Sequence, residues 1–491
     1  MRILDLPEEN ILQILFLLAI NDIFSLRATC RRLHRITDSD YFWREVYPRS
    51  DLPLTISPSL DPRKLSGDEI RRTFTKALRL DSNWSLRTTA IRVVCTLVKE
   101  KSDRSYDELR FLPGGTLLVA ARRNQSAERS TVSFSVFSIV DMTDPYKIAS
   151  TEFEGHLNEF SVTLVDEDRK VVIATTLNNS IDGKQWLEVH HTSIPDAPPS
   201  AHVSNNHFDT PFRWAAEDVA FLHKVAVNGE IVAASIRWGH DSSVERIHKF
   251  LIANWRTGYT CAVIPQNFPI FSSVDIKLFP FHFVTIVASD DELVVLKAEL
   301  DERLFNGPEH PFIGASDGAS PGPDMQLRTW AEYQLAKKDL IISDSTNIGE
   351  HQPPRSLSFI AFSTGHIWNT KWEGIRLSIP NCDAQSSANP VVEVSKPFYV
   401  LESCYPEHVC LGTTGRRAVW LEREIDTGDA RLMKMSYDKS RNVGPTVGVL
   451  LSSAPLLPFR PNLVRTLAFD EATGRVALAL ITSAIYVLDC A

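Results

Sequence analysis

No apolar run in this sequence is long enough to cross a bilayer. The longest, around Ile14 to Ile20 and Val476 to Ile481, fall well short of the roughly 20 residues a spanning helix needs. No basic-then-apolar segment opens the chain, and Asp5, Glu8 and Glu9 oppose a secretory leader. There is no basic surplus either. The formal net charge is -9, which argues against a nonspecific nucleic-acid partner but leaves room for a local basic patch. The 7 cysteines are odd in number and scattered, unlike a disulfide framework, so a reducing compartment, cytoplasm and/or nucleus, is expected. No Gly-x-Ser-x-Gly elbow and no phosphate-cradling glycine-rich loop is present. What remains is ordinary soluble composition, 43% apolar and 23% charged, over 491 residues, a length that implies more than one domain.

The positive signal begins at residues 4 to 47, which read as three short helices. Pro7, Glu8 and Glu9 suit a first helical turn, where Pro loses no amide hydrogen and carboxylates face the positive end of the dipole. Ile11, Ile14, Leu15 and Leu18 fall on one face, while Leu12, Phe16 and Leu17 lie off that stripe. Asn21 or Asp22 is expected to cap a second helix lined by Ile23, Leu26, Cys30 and Leu33. Its remaining surface holds Arg27, Arg31, Arg32 and Arg35. Asp38 or Ser39 is expected to cap a third, carrying Phe42, Trp43 and Val46. A unit of about 40 residues is near the lower limit for an independent core, and this one has an apolar surplus, so a partner is expected to complete it.

These residues resemble an F-box. The matching pattern is Leu6-Pro7-x-Glu9, Ile14-Leu15, Leu18, Asp22, Leu26-Arg27, Cys30-Arg31 and Phe42-Trp43-Arg44; Asn10 stands where the family usually has an aliphatic residue. The resemblance implies docking to a Skp-type adaptor, which in turn binds a cullin scaffold of a ubiquitin ligase. The contact residues it carries over are Leu6, Pro7, Ile11, Ile14, Leu15, Leu18, Leu26 and Trp43. Some of these must face inward, and spacing alone does not divide the set.

Residues 48 to 68 carry Pro48, Pro53, Pro58 and Pro62 and read as a linker. A helix follows over 67 to 81, with Asp68 as its cap and Ile70, Phe74, Ala77 and Leu78 as its stripe. After Trp84 the texture becomes short apolar or alternating runs between tight polar turns. Val132 to Val136 alternates strictly; Val171 to Ala174, Ile231 to Ala234, Phe283 to Val287, Leu293 to Leu296 and Val476 to Ile481 are nearly continuous apolar runs suited to central strands.

One unit recurs about seven times: an apolar run, a turn, a more apolar run, a gap and a third run. The turns fall at Pro113 to Gly115, Asp166 to Asp168, Asn228-Gly229, Pro280, Thr364-Gly365, Pro406-Glu407 and Ala472 to Gly474. The pattern resembles a degenerate WD-like β-propeller, as in fungal F-box proteins; an irregular pair of β-sandwiches is the alternative. A ring also needs closure, and a strand over Ile91 to Val98 is expected to pair with the last blade near Ala484 to Leu488. The fold class expected is therefore multidomain α+β, a small all-α F-box followed by an all-β propeller of about seven blades. Its parts are 1–47 F-box, 48–87 linker with helix, and 88–491 propeller-like domain with a flexible insertion near 301–356. Within that insertion, Met325 to Leu335 reads as a strand or short helix.

Catalytic and metal chemistry find little support. Cys404-x-x-x-His408-x-Cys410, with Cys382 upstream, matches no usual zinc spacing, and Cys410 sits in a strand-like run. His190 and His191 are adjacent, so on a strand they point to opposite faces. Asp166 to Asp168 and Asp290 to Glu292 fall in expected turns, where solvated acids are ordinary. The 10 tryptophans, among them Trp186, Trp214, Trp238, Trp255, Trp330, Trp368, Trp372 and Trp420, read mostly as blade core. No metal or cofactor is required. Arg122-Arg123 and Arg416-Arg417 are the candidate substrate-binding residues, since Arg forks grip phosphate or carboxylate.

The function expected is that of a non-catalytic substrate receptor of a Skp-cullin-F-box ubiquitin ligase. Its partners would be the adaptor, the cullin and a target protein, with neither nucleic acid nor membrane. Two rivals are an adaptor-bound scaffold with no role in ubiquitination and a propeller enzyme. The enzyme would need acids, histidines or metal ligands converging at a channel mouth.

Overall fold

A computed structural model describes residues 3–491 except 51, 57–60, 62–63, 87–88, 100–103, 126–128, 180–182, 196–207, 217–219, 239–247, 266–272, 289–291, 307–326, 335–339, 343, 346–355, 365–371, 381–391, 439–443 and 452–457. The N-terminal region holds four short helices: α1 (Glu8–Phe16), α2 (Ile20–Arg27), α3 (Arg31–Ile36) and α4 (Asp40–Val46). The apolar spacing predicts α2 and α3 as one helix capped by Asn21 or Asp22. Instead Ala19 is the N-cap and the chain breaks at residues 28–30. The break has a local cause. Thr29 Oγ1 donates to the Leu26 carbonyl at 2.7 Å, while Arg27 crosses the gap to the Thr37 carbonyl at 2.9 Å and to Asp38 at 2.6 Å. Ser39 caps α4, its Oγ accepting from Phe42 N–H at 3.2 Å.

The longest helix, α5 (Gly67–Ser85), runs four residues beyond the expected end at 81, and its cap is Ser66 rather than Asp68. Ser66 and Glu69 form a reciprocal capping box, with Glu69 N–H donating to Ser66 Oγ at 3.3 Å and Ser66 N–H to Glu69 Oε2 at 2.9 Å. Asp68 instead pairs with Arg71 at 2.6 Å. Gly67 is required at this start. Its N–H donates to Asp40 Oδ1 at 2.6 Å, and a Cβ there would lie 2.8 Å from the Asp40 Cα. Helices α4 and α5 thus meet backbone to side chain. Ile70, Phe74 and Ala77 complete the core formed by Ile11, Leu15, Ile23, Leu33, Phe42 and Trp43.

The described strands form seven sheets arranged as a propeller. From the channel outward the innermost strands, blade one to blade seven, are Glu108–Phe111, His156–Val165, Ala220–Asn228, Ser273–Leu278, Leu340–Ile342, Cys404–Leu411 and Val464–Asp470. Blade seven continues through Arg475–Leu480 and Ile485–Asp489 and is completed by Val93–Val98, with Val93 opposite Asp489 and Cys95 opposite Val487. This is the closure expected from the sequence. It removes two exposed strand edges, and the ring is then held by apolar cores between neighbouring blades.

Five of the seven expected turns join the first and second strands of a blade. Two do not. Thr364 ends the second strand of blade five, Ser356–Thr364, and Gly365 lies outside the described residues. Pro406 and Glu407 lie within the innermost strand of blade six, whose real turn spans residues 412–416. Proline is tolerated there because, among the described residues, the channel-side partner Asp344–Ser345 reaches only Cys410 and Leu411 and leaves Pro406 without one, and a bulge between Glu407 and Cys410 interrupts the strand. The expected insertion near 301–356 lies mostly outside the described residues. Its described parts are recruited into the ring: Arg328–Gln334 is the outer strand of blade four, Leu340–Ile342 opens blade five, and Asp344–Ser345 pairs in parallel with blade six.

Helix α5 belongs to both halves. Its N-terminal turns sit in the helical core, while Leu80 and Trp84 sit in the core between blades six and seven, with Val419, Leu421, Leu467 and Phe469. Trp84 is buried, stacks on Phe469 at 5.3 Å and donates Nε1–H to the Met435 carbonyl at 2.9 Å. Trp84→Ala is expected to cost about 3–5 kcal/mol and to split one urea transition into two, followed by circular dichroism and tryptophan fluorescence. A single unshifted transition would refute the shared-core account.

Candidate functional site

Two surfaces bear on function: the outward face of the helical module and the mouth of the channel. On the first, Ile11, Leu15 and Trp43 are buried, whereas Leu6, Pro7, Ile14, Leu18 and Leu26 reach the surface. The eight residues expected to meet an adaptor therefore separate into three that shape the core and five that surface above it. Leu17 is 85% exposed, and Tyr41 is also exposed. Leu17 lies off the apolar stripe of α1, and a leucine outside that stripe must find solvent or a partner. Arg32 fixes the N-terminal edge of this face by donating to the Leu4 carbonyl and, at 3.0 Å, to that of Leu6.

Arg416 and Arg417 follow the innermost strand of blade six and belong to the junction with α5. Arg417 is buried. It donates to the Glu471 carbonyl at 2.8 Å and pairs with Asp81 of α5, whose other oxygen takes Arg416 at 3.0 Å. Glu471 is buried too, its carboxylate accepting from Thr414 N–H and Oγ1–H and from the N–H groups of Arg416 and Arg417. Burial pushes the Glu471 carboxyl up, and Arg417 and these donors pull it back. Gly474, at φ +71°, allows the adjoining turn of blade seven to approach, because a Cβ would sit 2.5 Å from Leu80 Cδ1. These two arginines are thus used inside the molecule, not on a free loop.

Arg122 and Arg123 lie at the other end of the channel. The innermost strands all run the same way around the ring, so the turns that follow them gather on the α5 side. The residues that begin them gather on the opposite side. There, the bulges at Leu222/Val225 and Val464/Thr466 carry Lys224 and Arg465, and the bulge at Leu157/Glu159 precedes Glu159. A chain of ion pairs crosses from blade seven to blade three. Arg465 binds Asp107 at 2.6 Å, and the other Asp107 oxygen takes Arg123 N–H at 2.7 Å. Arg123 pairs with Glu108, and Arg110 meets Glu159 at 3.0 Å. Glu159 then takes Lys224 at 2.9 Å. Arg122 stacks over Tyr106 at 4.3 Å. Below this belt lies a cavity of about 80 Å³, lined in part by Arg110, Glu159, Lys224, Asp275 and Lys277. It has space for a few waters.

The other residues weighed for chemistry are dispersed. Cys404 and Cys410 belong to separate cores, and Cys382 lies outside the described residues. His190 is buried, stacked on Phe153 at 3.8 Å and paired with Glu188, whereas His191 on the opposite face lies against Trp255. Among the described residues no three or more His, Cys, Asp or Glu are grouped to hold a metal, and no helix is long and apolar enough to cross a membrane.

Residues 3–49 match the family described as F-box-like. No curated protein matches the chain. Among solved structures, the β-propeller domain of the Trilobed protease from Pyrococcus furiosus is 8% identical, covering 79% of this chain and 93% of that one at a TM-score of 0.40. Sqt1 from Chaetomium thermophilum is 11% identical, covering 82% and 99% at 0.40. Pyrococcus horikoshii acylaminoacyl peptidase is 7% identical, covering 77% and 50% at 0.40. Similarity this distant carries no argument about function. The chain joins an F-box-like helical module to a seven-bladed propeller.

One titratable group reports on the junction. Lys434 Nζ donates to the carbonyls of Trp84 and Leu86 and to Thr89 Oγ1, and burial pushes its pKa down to about 8. Between about pH 8 and the ordinary lysine value the unfolded chain binds the extra proton, so this contribution to stability rises with pH over that window. The urea midpoint of the wild type should therefore climb relative to that of Lys434→Met from pH 8 to pH 10. A constant or narrowing gap would contradict the assignment.

Proposed function

We propose that this protein is the substrate-recognition subunit of a Skp-cullin-F-box ubiquitin ligase. The observation that carries the reading is the apolar surface the F-box-like module leaves uncovered: Leu17 and Pro7 are exposed and Leu6, Ile14, Leu18 and Leu26 half-buried, beside a core that is already filled. Such a face fits a helix-in-groove contact with a Skp-type adaptor. Ile11, Leu15 and Trp43 then act from beneath, by holding the helices in register. The propeller would carry the target on the face away from α5, where Arg122 and Arg123 lie. Catalysis would be by proximity, raising the effective concentration of a target lysine near the transfer machinery, with no bond-making group on this chain.

The burial pattern separates two kinds of substitution. Leu17→Asp and Leu18→Asp place a charge on the outward face and are expected to leave the fold intact while weakening adaptor binding at least about a hundredfold. Leu15→Asp strikes the core and should unfold the helical module. Co-expression with the adaptor followed by size exclusion reads both effects. Co-elution of the adaptor with folded Leu17→Asp and Leu18→Asp at wild-type yield would refute the docking face. Cullin recovery from the same sample distinguishes a ligase subunit from an adaptor-bound scaffold.

A further inference from the structure

We infer that the mouth-side rim of blade six, around Leu401 and Ile425, docks a target segment in which an apolar residue is flanked by lysine or arginine. The inference rests on the receptor reading above and names the chemistry of the target it would hold.

Ile425 stands at the tip of the hairpin joining Arg417–Glu424 to Ala430–Ser436, and Leu401 lies in the connection entering the same blade. The two segments are side by side, since Ile425 N–H donates to the Ser403 carbonyl at 2.8 Å and Cys404 N–H to that of Leu401 at 3.1 Å. Ile425 is 53% exposed, Leu401 46%, and neighbouring Tyr399 54%. A hairpin tip needs polar turn residues, and Thr427, Gly428 and Asp429 supply them here. The isoleucine adds little to the blade's own core.

Charge decides what would cover this patch. Glu402, Glu424, Asp426 and Asp429 surround it, and among the described residues none of them has a lysine or arginine within ion-pair distance. Of the three arginines of the hairpin, two are paired: Arg417 with Asp81, and Arg423 with Glu407 at 2.9 Å. The third, Arg431, is exposed and stands in register across from buried Glu422, so four carboxylates face one exposed arginine here. Across the mouth the balance differs, because Arg465, Arg123, Arg110 and Lys224 each already face a carboxylate. An acidic or phosphorylated segment would have to displace those pairs. A basic segment meets open carboxylates at blade six, and its apolar residue gains from covering Leu401 and Ile425.

The test uses the full chain co-purified with its adaptor and a random-peptide phage library as the probe. The expected selection is an apolar residue between lysines or arginines. Fluorescence anisotropy of a selected peptide should show binding that weakens with added salt. Binding should fall at least about tenfold in Leu401→Ser/Ile425→Ser and in Asp426→Lys/Asp429→Lys. Both variants alter exposed positions and should keep the wild-type melting temperature. Selection of acidic peptides, no selection at all, or unchanged affinity in both variants would overturn the inference. Adaptor co-elution is scored on the same samples. Retained adaptor with failed peptide binding sinks this inference alone, whereas loss of the adaptor from the wild type sinks the receptor reading.

Discussion

One helix governs the arrangement. The apolar stripe of α5 keeps its spacing through Ile70, Phe74, Ala77, Leu80 and Trp84, but the first three serve the helical core and the last two the propeller. A single hydrogen-bonded rod therefore carries side chains into two cores, and neither half can rotate without breaking contacts in the other. The Asp81 pairs with Arg416 and Arg417 lock its roll, and the Ser66–Glu69 box defines where it starts. Two units that a linker could have left independent are set at one angle. In the receptor role proposed above, this rigidity would matter as much as either surface.

The channel repeats the theme with polar atoms. Bulges in the innermost strands of blades three and seven carry Lys224 and Arg465, and each meets a carboxylate from a neighbouring part of the ring, Glu159 and Asp107. Mouth charges arranged this way tie blades together across the closing seam between blades seven and one, where Arg465 meets Asp107. Partly buried pairs in a network are worth more than scattered surface pairs, which contribute little. The acidic rim of blade six departs from this balance.

Much of the architecture was legible because it rests on periodicity. The alternation from Val132 to Val136, the apolar runs at Val171 and Val476, and the closing strand near Val93 announce sheets that bury both faces. The α5 stripe announced itself in the same way. What stayed hidden depends on contacts far apart in sequence. Asp68 and Ser66 are equally good caps on paper; Gly67 against Asp40 decides between them. Pro406 reads as a turn because proline usually marks one, and only its place beside the channel explains its presence in a strand. Arg416-Arg417 and Arg122-Arg123 look alike in sequence, yet Asp81 and Glu471 claim the first pair. The burial that divides Leu15 from Leu17 is likewise set by α4 and α5 rather than by α1 alone.

The seat of α5 is built largely from residues made late. Phe469, which stacks on Trp84, Gly474, which admits Leu80, and the Cys490 carbonyl, which accepts from Asn83 at 2.6 Å, all leave the ribosome long after the helix itself. During synthesis the helical module can fold early, but it acquires a defined direction only when blade seven arrives and the ring shuts. A chain that has not yet made blade seven would thus hold its helical module without a set direction, and synthesis of that blade becomes the step that aligns it.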